Sequence, residues 1–181
     1  EKRLPEALTL AQAAARGPSA SSWAARGSGF QLTLLAVIAG IAQRALDDTV
    51  AFVRPRRRTF GFAGETLPAD DPLVQVVVGE VSAAAAAARR LVLSVADELG
   101  AALDDRSSDA SDRLRGLQLE VYRLQEVVPR LVLDAATRLF EVGGASAVSV
   151  SAALDRHWRN VRTIASHNPV VQRTRAIGQW E

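Results

Sequence analysis

His157 and His167 are the only imidazoles in the 181-residue chain, and both fall in the stretch DRHWRNVRTIASHNP, Asp155 to Pro169. They lie ten residues apart, too far to form a two-ligand metal pair on one helix. An imidazole titrates near neutrality, so either could exchange protons or donate to an anionic oxygen. His157 sits within a helical pattern and reads as a satisfied structural or interface residue. His167 sits where Pro169 must break that helix, because the residue before a proline avoids helical geometry. A second reactive cluster is RPRRRTFG, Arg54 to Gly61. Its guanidinium groups suit either helix capping or a phosphate clamp, since arginine grips phosphate in two places. Phe60 and Gly61 beside them favour a flat ligand. The third candidate, Gly143-Gly144, reads either as a helix terminator or as a close approach to a ligand.

Other chemistries find little footing. The chain has no cysteine, which removes thiolate ligands, thiol nucleophiles and disulfides. With only two histidines, no metal site is expected. No Ser-His-Asp arrangement follows from the spacing, and Asp47-Asp48 and Asp104-Asp105 read as surface or turn pairs. Glycine-rich phosphate loops are absent. Twenty-two Lys and Arg against twenty Asp and Glu leave a net charge of +2, too small a surplus for a general nucleic-acid binder. FQLTLLAVIAGIAQRALDD is the most apolar stretch, but Gln31, Thr33, Gln43 and Arg44 interrupt it, so no membrane span is expected. A cytoplasmic location is expected. The chain starts at Glu1 and lacks methionine, and so reads as a piece of a longer protein.

The elements that must position these residues are helical. Residues 1–29 read as a linker rich in Gly, Ser and Ala, with Trp23 docked on the fold. A first helix is expected from Phe30 to Val53, where Leu34, Leu35, Ile38, Ile41, Ala42, Ala45 and Thr49 keep helical spacing. Pro55 stops it. A second helix begins at Asp71 or Pro72, a cap followed by the residue best suited to the first turn. Its expected buried stripe is Val76, Val77, Val81, Ala84, Ala88, Leu91, Val95 and Leu99. A third follows the polar turn at 104–112, with a seam from Leu114 to Leu139 and a kink at Pro129. A fourth covers about Ala147 to Ser166, with Trp158, Val161 and Ala165 facing the core, and a short tail follows from Pro169 to Gly178. Asp155 can pair with Arg159 one turn on. No strand pattern appears. The expected fold is therefore all-α, an antiparallel four-helix bundle over residues 30–181.

Three landmarks stand in order: RRRTFG, FEVGGAS and LDRHWRNVRTIASHNP. Together they resemble the C-terminal helical domain of the acyl-CoA dehydrogenase superfamily. The nearer likeness is to its flavin-dependent monooxygenase branch, the dibenzothiophene monooxygenase-like enzymes. The resemblance covers about Phe30 to Glu181. It implies Arg57 for the flavin phosphate, often across a subunit boundary, with Thr59 and Phe60 beside the cofactor. It also implies that Gly143 and Gly144 border the flavin or substrate pocket. Dehydrogenases of the superfamily carry an Arg-Asp pair and then a Glu-Gly-Thr segment whose glutamate removes the substrate's α-proton. Aligning that pair to Arg159-Asn160 puts the glutamate position at Asn168, which cannot act as a base, and Pro169 replaces the glycine. A base on another helix would escape this exclusion.

The monooxygenase branch has a histidine, an acidic or amide residue, then proline, which His167-Asn168-Pro169 fits. The resemblance implies His167 as the catalytic residue at the reactive edge of a reduced flavin, FMN or FAD, that activates O2 to oxygenate a small aromatic or sulfur-containing substrate. The cofactor supplies the oxygen chemistry, and the protein supplies position, dryness and proton control. A flavin reductase is the implied partner and a homotetramer the implied assembly. The flavin would be shared with missing upstream domains and neighbouring subunits, so this piece alone is expected to be inactive. Two other functions remain open: an acyl-CoA dehydrogenase-type oxidoreductase domain, and a non-catalytic oligomerisation bundle.

Overall fold

A computed structural model describes residues 20–58, 66–105, 107–167 and 169–181, with side chains from residue 27 onward. Among the described residues there are five α-helices: α1 (Ala20–Val53), α2 (Pro72–Asp104), α3 (Ala110–Arg138), α4 (Asp155–Ala165) and α5 (Val170–Trp180). Two 3₁₀ turns, Leu139–Val142 and Gly144–Val148, join α3 to α4. No strand occurs among the described residues.

The long helices alternate in direction. Val53 at the end of α1, Val77 at the start of α2 and Val142 just past α3 meet in one cluster. Gln31 near the start of α1 takes a hydrogen bond from Gln125 of α3. α1 and α3 therefore run together, with α2 against them. α4 runs back along α1, since Asp48 meets His157 and Phe30 meets His167. α5 continues in that direction along α3, where Thr174 donates to Glu126 at 3.0 Å and Arg173 reaches the Tyr122 hydroxyl at 3.3 Å. The bundle's fourth position is thus one helix path, interrupted between Ala165 and Val170.

Small residues line the seam between α1 and α2. Ala36, Ala39 and Ala42 of α1 share the main core with Ala85 and Ala88 of α2. Short side chains let helix backbones approach closely, so the alanine run is packing surface. Asp71 caps α2 by accepting from the Leu73 amide at 2.9 Å, and Pro72 opens it, as its sequence predicts.

Several expectations need correction. α1 begins at Ala20, ten residues ahead of Phe30, so residues 20–29 are helical. No proline interrupts that stretch, and Ser28 within it is buried. The rest of the expected linker lies outside the described residues, as does the Trp23 side chain. Val76 and Leu91 are exposed. Val77, Val81, Ala84, Ala88, Val95 and Leu99 are buried as expected, and Ala85 and Val92 join that face. Pro129 lies buried inside α3, which is helical on both sides of it.

The fourth helix starts at Asp155, not Ala147. Ser149 offers a competing turn: its hydroxyl and carbonyl both receive the Ala152 amide, and Ala153 sits at φ 48°. Trp158 is exposed, Ala165 is half-buried, and Val161 and His157 are the fully buried residues of this helix. Gly27–Val53 is long and apolar enough to cross a membrane by length and composition. Half of its most apolar stretch is buried against the other helices, as befits a core helix of a bundle.

Candidate functional site

At the C-terminal end of α1, Phe52 points inward and Arg56 lays its guanidinium over the ring, 4.6 Å from the centroid. Gly143 packs directly on this pair, and a Cβ there would overlap both Arg56 Nη1 and the Phe52 ring. Close approach therefore demands glycine at 143. At Gly144 the demand is conformational, because φ is 52°, in the left-handed region. The same end holds a cavity of about 290 Å³ lined by Arg56, Arg58, Asp71, Arg138, Glu141 and apolar residues of α2. Arg138 is already engaged by Glu80 at 2.8 Å and Glu141 at 2.6 Å. Arg57 and Arg58 are exposed and pair with no carboxylate among the described residues. Arg56 Nη1 is buried without a hydrogen-bond partner. Free guanidinium groups beside an orphaned donor suit an anionic group such as a phosphate. Thr59 and Phe60 lie outside the described residues.

At the opposite end, His167 is exposed in the break between α4 and α5. Its amide closes a turn onto the Ile164 carbonyl at 3.1 Å. Its ring lies 5.9 Å from that of Phe30, centroid to centroid, tilted by 56°. The side chain that α1 sets against His167 thus has no proton to give or take. Asn168 lies outside the described residues.

Sequence spacing missed the polar node that holds α4. His157 is buried, only 2% exposed, and its Nε2 lies 2.9 Å from Asp48 Oδ2. The same carboxylate receives Arg44 at 3.0 Å and pairs with Arg156. Burial lowers the His157 pKa most, the neighbouring Arg156 lowers it further, and Asp48 opposes them. The ring is therefore held neutral and donates Nε2–H to Asp48. Asp48 is no surface residue. Its position three after the buried Ala45 was the available signal. The expected Asp155–Arg159 pair forms, at 3.3 Å on the surface.

The expected site residues thus fall into two groups. Arg57, Gly143 and Gly144 gather at one end, although it is Arg56 that touches Gly143. His167 stands alone at the other. Phe30 and Phe52 are 22 residues apart on one helix, which at 1.5 Å per residue is about 33 Å. A flavin ring and its phosphate cannot bridge that distance within one chain.

Known proteins match this architecture. The family described as acyl-CoA dehydrogenase, C-terminal domain, matches residues 32–172. A probable FMNH2-dependent monooxygenase of Pseudomonas putida is 32% identical over 150 residues, covering 83% of this chain and 38% of that protein. The crystal structure of dibenzothiophene monooxygenase from Paenibacillus sp. A11-2 superposes with a TM-score of 0.77 at 27% identity, covering 98% of this chain and 43% of that one. That protein has also been solved with FMN and with indole. Methanesulfinate monooxygenase of Pseudomonas fluorescens gives a TM-score of 0.78 at 29% identity, covering 87% of this chain and 41% of that one. The chain spans about two fifths of the length of these relatives.

Proposed function

The chain belongs to the family of acyl-CoA dehydrogenase C-terminal domains, and from that premise we propose that it serves a two-component monooxygenase using reduced flavin and O2. The observation that carries this reading is His167, exposed at the helix break with the Phe30 ring 5.9 Å away. An imidazole there can take a proton from, or give one to, the reacting atoms. The flavin, when bound, supplies the oxygen chemistry. This chain's part is to bind its phosphate through Arg57, close the pocket beside Gly143 and Gly144, and place His167 by the reacting atoms. The relatives' names favour FMN over FAD, and aromatic or sulfur-containing compounds as substrates.

The separation between the two ends supports a shared site. Arg57 of one copy would meet a flavin that faces His167 of another, in a homo-oligomer, with a flavin reductase delivering the reduced cofactor. The test uses the full-length protein. Mixed with reduced FMN, O2 and dibenzothiophene, it should yield an oxygenated product, and an acyl-CoA should not reduce its bound flavin. Flavin reduction by an acyl-CoA without oxygenation would overturn the reading in favour of a dehydrogenase. Failure to bind flavin at all would leave a bundle used only for assembly.

A further inference from the structure

A second cavity lies beneath the break that carries His167. It is small, about 30 Å³, and its walls include Gln31 of α1, Gln125 and Pro129 of α3, Ile164 and Ala165 at the end of α4, and Val170 at the start of α5. Gln125 donates its side-chain amide to Gln31, which joins α3 to α1. The oxygen of that amide, Oε1, is buried without a hydrogen-bond partner among the described residues. Two prolines add acceptors to this wall. Pro129 stands four residues after Gln125 and has no N–H, so α3 cannot supply the usual donor to the Gln125 carbonyl. Pro169 stands four residues after Ala165 and withholds the helical donor from the Ala165 carbonyl in the same way. The amides of Ser166 and His167 turn to Arg162 and Ile164 instead, at 3.0 and 3.1 Å. The cavity thus gathers acceptors from two helices.

We propose that this cavity binds one water molecule, which donates one proton to Gln125 and the other to the Ala165 carbonyl, and that Gln125 is thereby a positioning residue for His167. The volume suits this ligand, since a water needs about 10–15 Å³ of such space and two to four polar partners. The chemistry suits it as well, because acceptors without donors call for a molecule with two protons to give. An apolar occupant would leave the Gln125 oxygen buried and unmatched, which is costly. The effect reaches the imidazole through the main chain. Ala165 stands two residues before His167, whose amide closes on Ile164. A water that ties Ala165 to α3 fixes the direction in which the chain leaves α4. Gln125 touches no reacting group and acts only on where His167 stands. The positioning role rests on the oxygenase reading above, and the water site does not.

The test uses the full-length protein. A high-resolution crystal structure should show a water within hydrogen-bond distance of both Gln125 and the Ala165 carbonyl. Gln125→Met keeps length and bulk but offers no strong acceptor. Gln125→Glu keeps the acceptor, and Gln31 can turn its own amide to meet it. In the Met variant the water should be lost. Hydrogen exchange of the His167 amide, followed by mass spectrometry, should then speed up about fivefold, the size of one hydrogen bond. Per folded protein, kcat with dibenzothiophene should fall by a similar factor, with KM within about twofold of wild type. The Glu variant should return both readings toward wild type. A wild type with no bridging water, a Met variant that loses only thermal stability, or a Glu variant as impaired as the Met variant would overturn the proposal. A wild type that oxygenates nothing with reduced flavin would instead sink the oxygenase reading, while the water and the exchange rate would still decide the site.

Discussion

The two histidines sit ten residues apart and are held in opposite ways. His157 is buried against Asp48, its proton committed to one carboxylate and its ring fixed between α1 and α4. His167 is open to solvent, with the Phe30 ring against it. The difference follows from Pro169. Up to Ile164 the helix path keeps its inward face on the bundle, and Ser166 and His167 are exposed before α5 resumes along α3. A histidine inside the regular path becomes structure, and a histidine at the break is left free for chemistry. Under the proposed function the two side chains of one type would hold separate roles, and each can be broken by itself.

The largest effect should come from His167→Ala in the full-length protein. Removing a general acid or base costs about 10²- to 10⁴-fold in rate, so oxygenation should fall by at least about 10²-fold with the melting temperature unchanged. His157→Ala should do the reverse. It deletes a buried hydrogen-bonded ring and should lower stability by about 2 kcal/mol, read by chemical denaturation, with turnover per folded protein kept. A His167→Ala variant with normal turnover would dissolve the contrast.

The two ends of α1 extend the comparison from one chain to two. If Arg57 and His167 of different copies complete one site, Arg57→Ala and His167→Ala are each inactive alone. Mixed after reversible dissociation, they should recover up to about a quarter of wild-type activity. Half of the paired copies would then be mixed, with one intact site of two in each. No recovery from demonstrably mixed oligomers would place both residues on one chain's site or remove one of them from it.

A smaller effect is expected at Gly143. Its alanine variant forces a Cβ into Arg56 and Phe52. The guanidinium can swing aside, but the ring belongs to the packed layer shared by α1 and α2. Overpacking of this kind costs about 1–3 kcal/mol, and flavin affinity should weaken with it as Arg56 is displaced. An unchanged stability would mean that the arginine end yields where the histidine end does not.

Helix periodicity, the Asp71 cap and the proline and glycine breaks were legible because each is local: spacing, a side chain and a dihedral settle it. The break that exposes His167 is of this kind. What was not legible depends on partners far away in sequence. Asp48 and His157 are 109 residues apart, so nothing near either one marks the pair. Phe30 opens the expected helix and gains its meaning only when α4 returns beside it. Arg56 rather than Arg57 meets Gly143 because the turn after Pro55 sets which guanidinium swings inward. The Ser149 turn that delays α4 competes with a helical pattern that periodicity alone favoured.

The smallest predicted effect isolates the charge state of His157. Its pKa lies below the ordinary histidine value, chiefly through burial and then through Arg156. In the unfolded chain the ring takes a proton near pH ~6.5, while in the folded chain it resists. Its stabilising contribution is therefore full above that pH and is lost as pH falls toward the lowered folded value. His157→Gln keeps a donor for Asp48 but cannot titrate. The stability gap between wild type and this variant, measured by denaturation from about pH 8 to about pH 5, should be flat above about pH 7. Below that it should shift against the wild type by at most about 1.4 kcal/mol per pH unit, the limit for one proton. A gap that moved in the wild type's favour on acidification would mean that Asp48 holds a charged imidazole. The His157 node would then be an ion pair and not a neutral hydrogen bond.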